Sequence, residues 1–72
     1  MAAQQKISVF VNGKARQIDG AQTIGGLVDS FQIPRRMVLI ELNGQALLRD
    51  EWPGQILTHG DRLEIIRVVA GG

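Results

Sequence analysis

The chain contains no cysteine, which excludes a disulfide framework, a thiolate nucleophile and a Cys-type zinc site. No stretch approaches the ~20 apolar residues of a membrane span, and the opening Met1-Ala2-Ala3-Gln4-Gln5-Lys6 lacks the apolar core of a secretory signal. The expectation is a soluble, cytoplasmic protein with no membrane partner. An excess of one charge is missing too: 8 basic residues stand against 7 acidic ones. The basic residues are dispersed and none lies in a tract with interleaved aromatics, so nucleic acid binding has no electrostatic footprint. Arg35-Arg36 reads either as a small docking pair or as a solvated corner after Pro34. Internal repeats and low-complexity segments are also absent.

A chain of 72 residues is one small domain, and at this size folding hides only about 60% of the surface an unfolded chain exposes. Its elements must therefore share one core. Ile7, Val9 and Val11 alternate with Ser8 and Phe10, the period of a strand. Asn12-Gly13 follows, a strong hairpin signal because both central residues of a type I′ turn need positive φ. Lys14 to Ile18 returns as a mostly polar second strand. Thr23 is placed to cap a short helix, on which Ile24, Leu27, Val28 and Phe31 form one apolar stripe. Gly25 and Gly26 in its first turn each cost about 1 kcal/mol relative to alanine, which implies either close approach of a neighbour or tolerated drift. Ile33-Pro34 ends the helix. Met37 to Leu42 is the most β-like run, and a second Asn-Gly, Asn43-Gly44, turns it into Gln45 to Leu48. Arg49 to Thr58 reads as irregular, His59-Gly60-Asp61 as a turn and Arg62 to Val69 as a final strand.

The resulting order, β-β-α-β-(β)-β, predicts an α+β fold in which one helix covers one face of a mixed four- to five-stranded sheet. The inward set is Ile7, Val9, Val11, Val38, Ile40, Leu42, Leu63 and Ile65, facing Ile24, Leu27, Val28 and Phe31. Right-handed crossover through the helix would make the first and last strands a parallel central pair.

No catalytic site assembles from these residues. The one histidine, His59, sits in a turn with no serine or cysteine nucleophile to serve. Asp50 and Glu51 are adjacent, so they point apart on any regular element. Gly25-Gly26 lacks the lysine and hydroxyl of a phosphate loop. Trp52 reads as a cap on one end of the core. The outward face is more telling, because Phe10, Leu39, Ile66 and Val68 fall opposite the inward set and no second helix covers them. Such a patch usually marks a partner surface, and it includes the strand that leads into Ala70-Gly71-Gly72. Two glycines add no Cβ, so that end is a thin thread able to carry a carboxylate into a narrow cleft. A frayed end with incidental glycines is the alternative.

Taken together, Ile40-Glu41-Leu42-Asn43-Gly44, Arg49-Asp50-Glu51-Trp52, His59-Gly60-Asp61-Arg62-Leu63-Glu64-Ile65-Ile66 and Val69-Ala70-Gly71-Gly72 resemble the ThiS family. These are β-grasp (ubiquitin-like) sulfur carriers of thiamin thiazole synthesis. The resemblance runs from about Ile7 to Gly72, with two departures: Leu48 stands where a proline is common and His59 where an aspartate is common. It implies one ubiquitin-like sulfur carrier domain over 1–72 with a flexible tail at 70–72, no metal and no cofactor. The Gly72 carboxylate, presented with Gly71, would be adenylated and then converted to a thiocarboxylate. Phe10, Leu39, Ile66, Val68 and Ala70 would form the partner-binding surface. Implied partners are an E1-like adenylating enzyme (ThiF-like), a thiazole synthase (ThiG-like) and a sulfur donor such as a cysteine desulfurase. A molybdopterin-synthase small-subunit type of carrier, a ubiquitin-like modifier and a plain interaction module remain open at this point.

Overall fold

The computed structural model describes residues 5–68. Strand β1 (Lys6–Val11) turns through Asn12 and Gly13 into β2 (Lys14–Asp19). Helix α1 (Ile24–Ser30) follows, then a 3-10 turn at Arg35–Met37, strands β3 (Val38–Leu42) and β4 (Gln45–Leu47), a longer 3-10 turn at Arg49–Gly54, and β5 (Arg62–Arg67). The five strands make one sheet in the order β2-β1-β5-β3-β4. As the crossover through the helix predicted, β1 and β5 run parallel at its centre, with Val11 beside Leu63, and every other pairing is antiparallel.

Both Asn-Gly turns close in the manner that their sequence requires. Asn12 and Gly13 take φ of 51° and 84°, and Asn43 and Gly44 take 52° and 87°, the left-handed region that a type I′ turn needs. Thr23 caps α1, its hydroxyl accepting from the Gly26 N–H at 3.1 Å. The helix stops at Ser30, three residues before the Ile33-Pro34 boundary, because Gln32 swings to φ 61°. A left-handed residue just past the last turn ends a helix by letting orphan carbonyls find donors, and here the Phe31 and Gln32 amides donate to Val28 and Asp29.

The core follows the inward set, with additions. Val9, Val38, Ile40 and Leu63 from the sheet meet Ile24, Leu27 and Val28 from the helix, all buried. Ile7, Val11, Leu42, Ile65 and Phe31 are half-buried around them. Ile18 and Leu57, absent from the expected inward set, are buried as well. Trp52 is 1% exposed and closes one end of the core, its indole N–H donating to the Leu47 carbonyl at 3.4 Å.

Two sequence assignments are corrected. Met37 belongs to a 3-10 turn and β3 starts at Val38, because the Met37 amide is committed to the Pro34 carbonyl at 2.9 Å. The irregular stretch from Arg49 is an ordered 3-10 turn to Gly54. Its start is tied twice: the Leu48 N–H donates to Glu51 Oε1 at 2.8 Å, and the Glu51 N–H donates back to the Leu48 carbonyl at 2.8 Å. A proline at Leu48 would have no N–H to give, so this departure from the family pattern carries its own compensation.

Candidate functional site: the open sheet face and the exit of the last strand

Because side chains alternate along a strand, burying Val9, Val38, Ile40 and Leu63 commits their neighbours to the other face. Phe10 is 40% exposed, Leu39 52%, Ile66 45% and Val68 38%, so the four apolar residues expected on the outward face are all there. Leu39 and Ile66 sit directly opposite one another across β3 and β5. Glu41 and Glu64 form the next outward pair along the same ladder, and Arg62, which pairs with Phe10, stands beside them, so this end of the face is charged with both signs. Like charges directly opposite are mildly unfavourable in a sheet.

Leu48 joins this surface and was not singled out from sequence for it. Its side chain is 68% exposed, and with Leu39, Leu47, Arg49, Trp52 and Ile66 it lines an open cleft of about 420 Å³. The cleft exists because β4 pairs with β3 only over Ile40 to Leu42, leaving Val38 and Leu39 beyond its end. The available signal was the run Ala46-Leu47-Leu48, whose alternation turns Leu48 outward.

The last strand leaves the body against the 3-10 turn at Arg35–Met37. Val38 pairs with Arg67, and the Val68 N–H donates to the Met37 carbonyl at 2.8 Å. Arg49 Nη2 donates to the neighbouring Arg36 carbonyl at 3.2 Å. Arg35 turns the other way and holds Asp29 with two bonds, Nε to Oδ1 at 2.9 Å and Nη2 to Oδ2 at 2.8 Å. These bonds hold the Asp29 carboxyl below the usual carboxylate range and raise the Arg35 guanidinium above its own. The Arg35-Arg36 dipeptide is thus no matched pair, since one member is engaged with the helix. Gly25 lies under this guanidinium: a Cβ at this position would lie 2.8 Å from Arg35 Nη2, so the arginine would have to shift. Ala70, Gly71 and Gly72, the expected docking and reactive end of the tail, lie outside the described residues.

Several polar side chains are engaged with the fold itself. His59 Nδ1 accepts from the Ser8 N–H at 3.1 Å, so its ring fastens a turn to β1. Asp61 accepts from the Thr58 N–H at 2.8 Å and from the Asn43 amide at 3.1 Å. Glu51 is taken up by Leu48, leaving Asp50 without a carboxylate partner. Among the described residues, no group of three His, Asp or Glu side chains is placed to hold a metal ion, and no helix is long and apolar enough to cross a membrane.

Comparison with known proteins agrees with this architecture. The model of the ThiS family matches residues 9–72. The chain is 26% identical over 66 residues to the sulfur carrier protein ThiS of Escherichia coli (strain K12), a match covering 92% of this chain and all of that one. The crystal structure of the thiamine biosynthesis protein ThiS from Geobacter metallireducens superposes with a TM-score of 0.76 at 29% identity, over 92% of this chain and 100% of that one. A solution structure of a thiamine biosynthesis protein from the same organism gives 0.74 at 29% identity, over 92% and 88% of the two chains. A β-grasp sheet and helix, matched along almost its whole length by that family's pattern, place the chain in the ThiS family.

Proposed function

We propose that this chain is a sulfur carrier of thiamin biosynthesis whose Gly72 carboxylate is adenylated and then converted to a thiocarboxylate. By family it is a carrier and no catalyst. The observation that carries the proposal is the family match running through to Gly72. The open face beside the exit of the last strand supports it.

The chemistry follows from the carboxylate itself. Resonance stabilises it, and oxide is too poor a leaving group for sulfide to displace. Attack of a carboxylate oxygen on the α-phosphorus of ATP releases pyrophosphate and leaves an acyl-adenylate. A persulfide sulfur can then attack the acyl carbon with AMP departing, and a second thiol cleaves the sulfur–sulfur bond to leave the thiocarboxylate. The ATP and thiols come from partners. We assign these roles to a ThiF-like adenylating enzyme and a sulfur donor such as a cysteine desulfurase, with a ThiG-like thiazole synthase as recipient, all in the ATP-rich cytoplasm. Phe10, Leu39, Ile66 and Val68 are the proposed docking residues, because they are exposed, apolar and continuous with the strand that carries the terminus. Beyond Val68 a few residues at roughly 3.3 Å each give the reach to enter a partner while the body stays outside.

The test is intact mass of the chain expressed in a bacterial host that makes thiamin. Replacement of one oxygen by sulfur, mapped to the terminal peptide and reactive as a thioacid, supports the proposal. Sulfoxide at Met1 or Met37 gives nearly the same nominal shift, and the thioacid reaction separates the two. Conjugates of high mass in place of that signal would make the chain a protein modifier.

A further inference from the structure

Four hydrogen bonds fix two consecutive peptide units in the 3-10 turn beside the strand exit. In the first unit, the Arg36 carbonyl accepts from Arg49 Nη2 at 3.2 Å and the Met37 N–H donates to Pro34 at 2.9 Å. In the second, the Met37 carbonyl accepts from the Val68 N–H at 2.8 Å, while the Val38 N–H donates to Arg35. A peptide unit is planar, so holding its oxygen and its N–H fixes the direction of both. Three of the four bonds are backbone to backbone. The fourth, from Arg49, is the one that a side chain supplies.

We propose that Arg49 is a positioning residue for the acyl terminus: by holding the Arg36 carbonyl it fixes the adjoining Met37 carbonyl, which receives Val68 and so sets the direction in which the last strand leaves the body. The inference rests on the sulfur-carrier reading. It gives the arginine of the Arg49-Asp50-Glu51-Trp52 motif a task distinct from that of Trp52, which fills the core. Arg49 is exposed and makes no ion pair among the described residues, so its removal leaves the packing intact. Small misplacements of a reacting group cost rate steeply, and here the carboxylate must meet the α-phosphorus of ATP in line.

The experiment compares the whole chain with its Arg49→Ala and Arg49→Lys variants. One arm reads amide hydrogen exchange at Val68, with the Leu27 amide of α1 as the internal reference. The other reads ATP–pyrophosphate exchange catalysed by a ThiF-like adenylating enzyme as the carrier is varied. For Arg49→Ala we expect Val68 to exchange faster while Leu27 does not, and kcat to fall about tenfold with KM for the carrier within about twofold of the parent. Arg49→Lys, which keeps a cationic donor, restores part of both. A raised KM at unchanged kcat would overturn the inference and make Arg49 a docking contact. Unchanged Val68 exchange, or equal acceleration at Val68 and Leu27, would overturn it as well. Absence of pyrophosphate exchange with the parent chain would instead overturn the sulfur-carrier reading, and the Val68 arm would still report whether Arg49 braces the exit.

Discussion

The side chain of Asn12 stands in for a strand neighbour of Ile65: its Oδ1 accepts the Ile65 N–H at 2.7 Å and its Nδ2 donates to the Ile65 carbonyl at 3.3 Å. Strand β1 ends at Val11, so without this amide the edge of β5 would lose its partner there. Asn43 does similar work on the other hairpin, accepting from the Arg62 N–H at 2.9 Å. The two Asn-Gly turns therefore shape their hairpins and also clasp the strand that leads to the terminus.

Replacing Asn12 by glycine separates these two tasks. Glycine keeps the positive φ of the turn and removes both side-chain hydrogen bonds. Asn12→Gly should lower stability by about 1–2 kcal/mol, read as a lower midpoint in urea at unchanged slope. Unchanged stability would mean that water replaces the amide without loss.

The two glycines of α1 should respond differently to alanine. A Cβ at Gly26 meets nothing closer than Thr23 Oγ1 at 3.4 Å, so Gly26→Ala should gain up to about 1 kcal/mol from helix propensity. A Cβ at Gly25 must push the Arg35 guanidinium away, so Gly25→Ala should gain clearly less and should loosen the Asp29 contact. Thermal melts of the two variants give the comparison, and equal gains would show that the Arg35 side chain swings aside freely.

Charge on the open face should separate docking from folding. Leu39→Lys or Ile66→Lys places an ammonium group on a surface already in contact with water. Melting should move by no more than about 4 °C, as for a surface substitution. KM for the carrier with a ThiF-like enzyme should rise about tenfold, roughly 1.4 kcal/mol of lost docking. A collapse in melting temperature would mean that this face is buried against part of the chain itself.

The Asp29–Arg35 pair fixes the sign of one pH effect. The Arg35 hydrogen bonds lower the Asp29 pKa in the folded chain, so the folded state binds this proton less readily than the unfolded one. Any stability from the pair is present above the ordinary carboxylate value, about 3.9, and is lost as pH falls through the lowered folded value. Both side chains are solvated, so the contribution is small. The sharper measurement is the carboxyl shift of Asp29 followed by NMR: its midpoint should move up in Arg35→Gln and stay put in Arg36→Gln.

What could be read from sequence was whatever a short window decides. The Asn-Gly turns, the Thr23 cap, the Ile24-Leu27-Val28 stripe and the alternation that puts Phe10, Leu39, Ile66 and Val68 outside all depend on neighbours within a turn or a strand. Ile18 escaped because β2 is otherwise polar, so no alternating partner advertised its inward position. Leu57 escaped because it lies in a connection without periodicity, pulled inside by its amide bond to the Gln22 carbonyl at 2.9 Å. The 3-10 turn at Arg49–Gly54 depends on the Glu51 carboxylate reaching back to Leu48, which composition does not reveal. His59 read only as a turn residue, because its bond to Ser8 spans 51 positions and belongs to the tertiary fold. The close neighbour of Gly25 is likewise a guanidinium delivered from the far side of Pro34.

The place of β5 between a parallel and an antiparallel neighbour has a mechanical consequence. Tension applied to the chain beyond Val68 runs along β5, at right angles to most of the bonds that hold it. Those bonds are loaded in shear, many at once, whereas an edge strand would peel away one link at a time. An enzyme tugging on the end of this protein would meet the part of the sheet best suited to resist being unravelled.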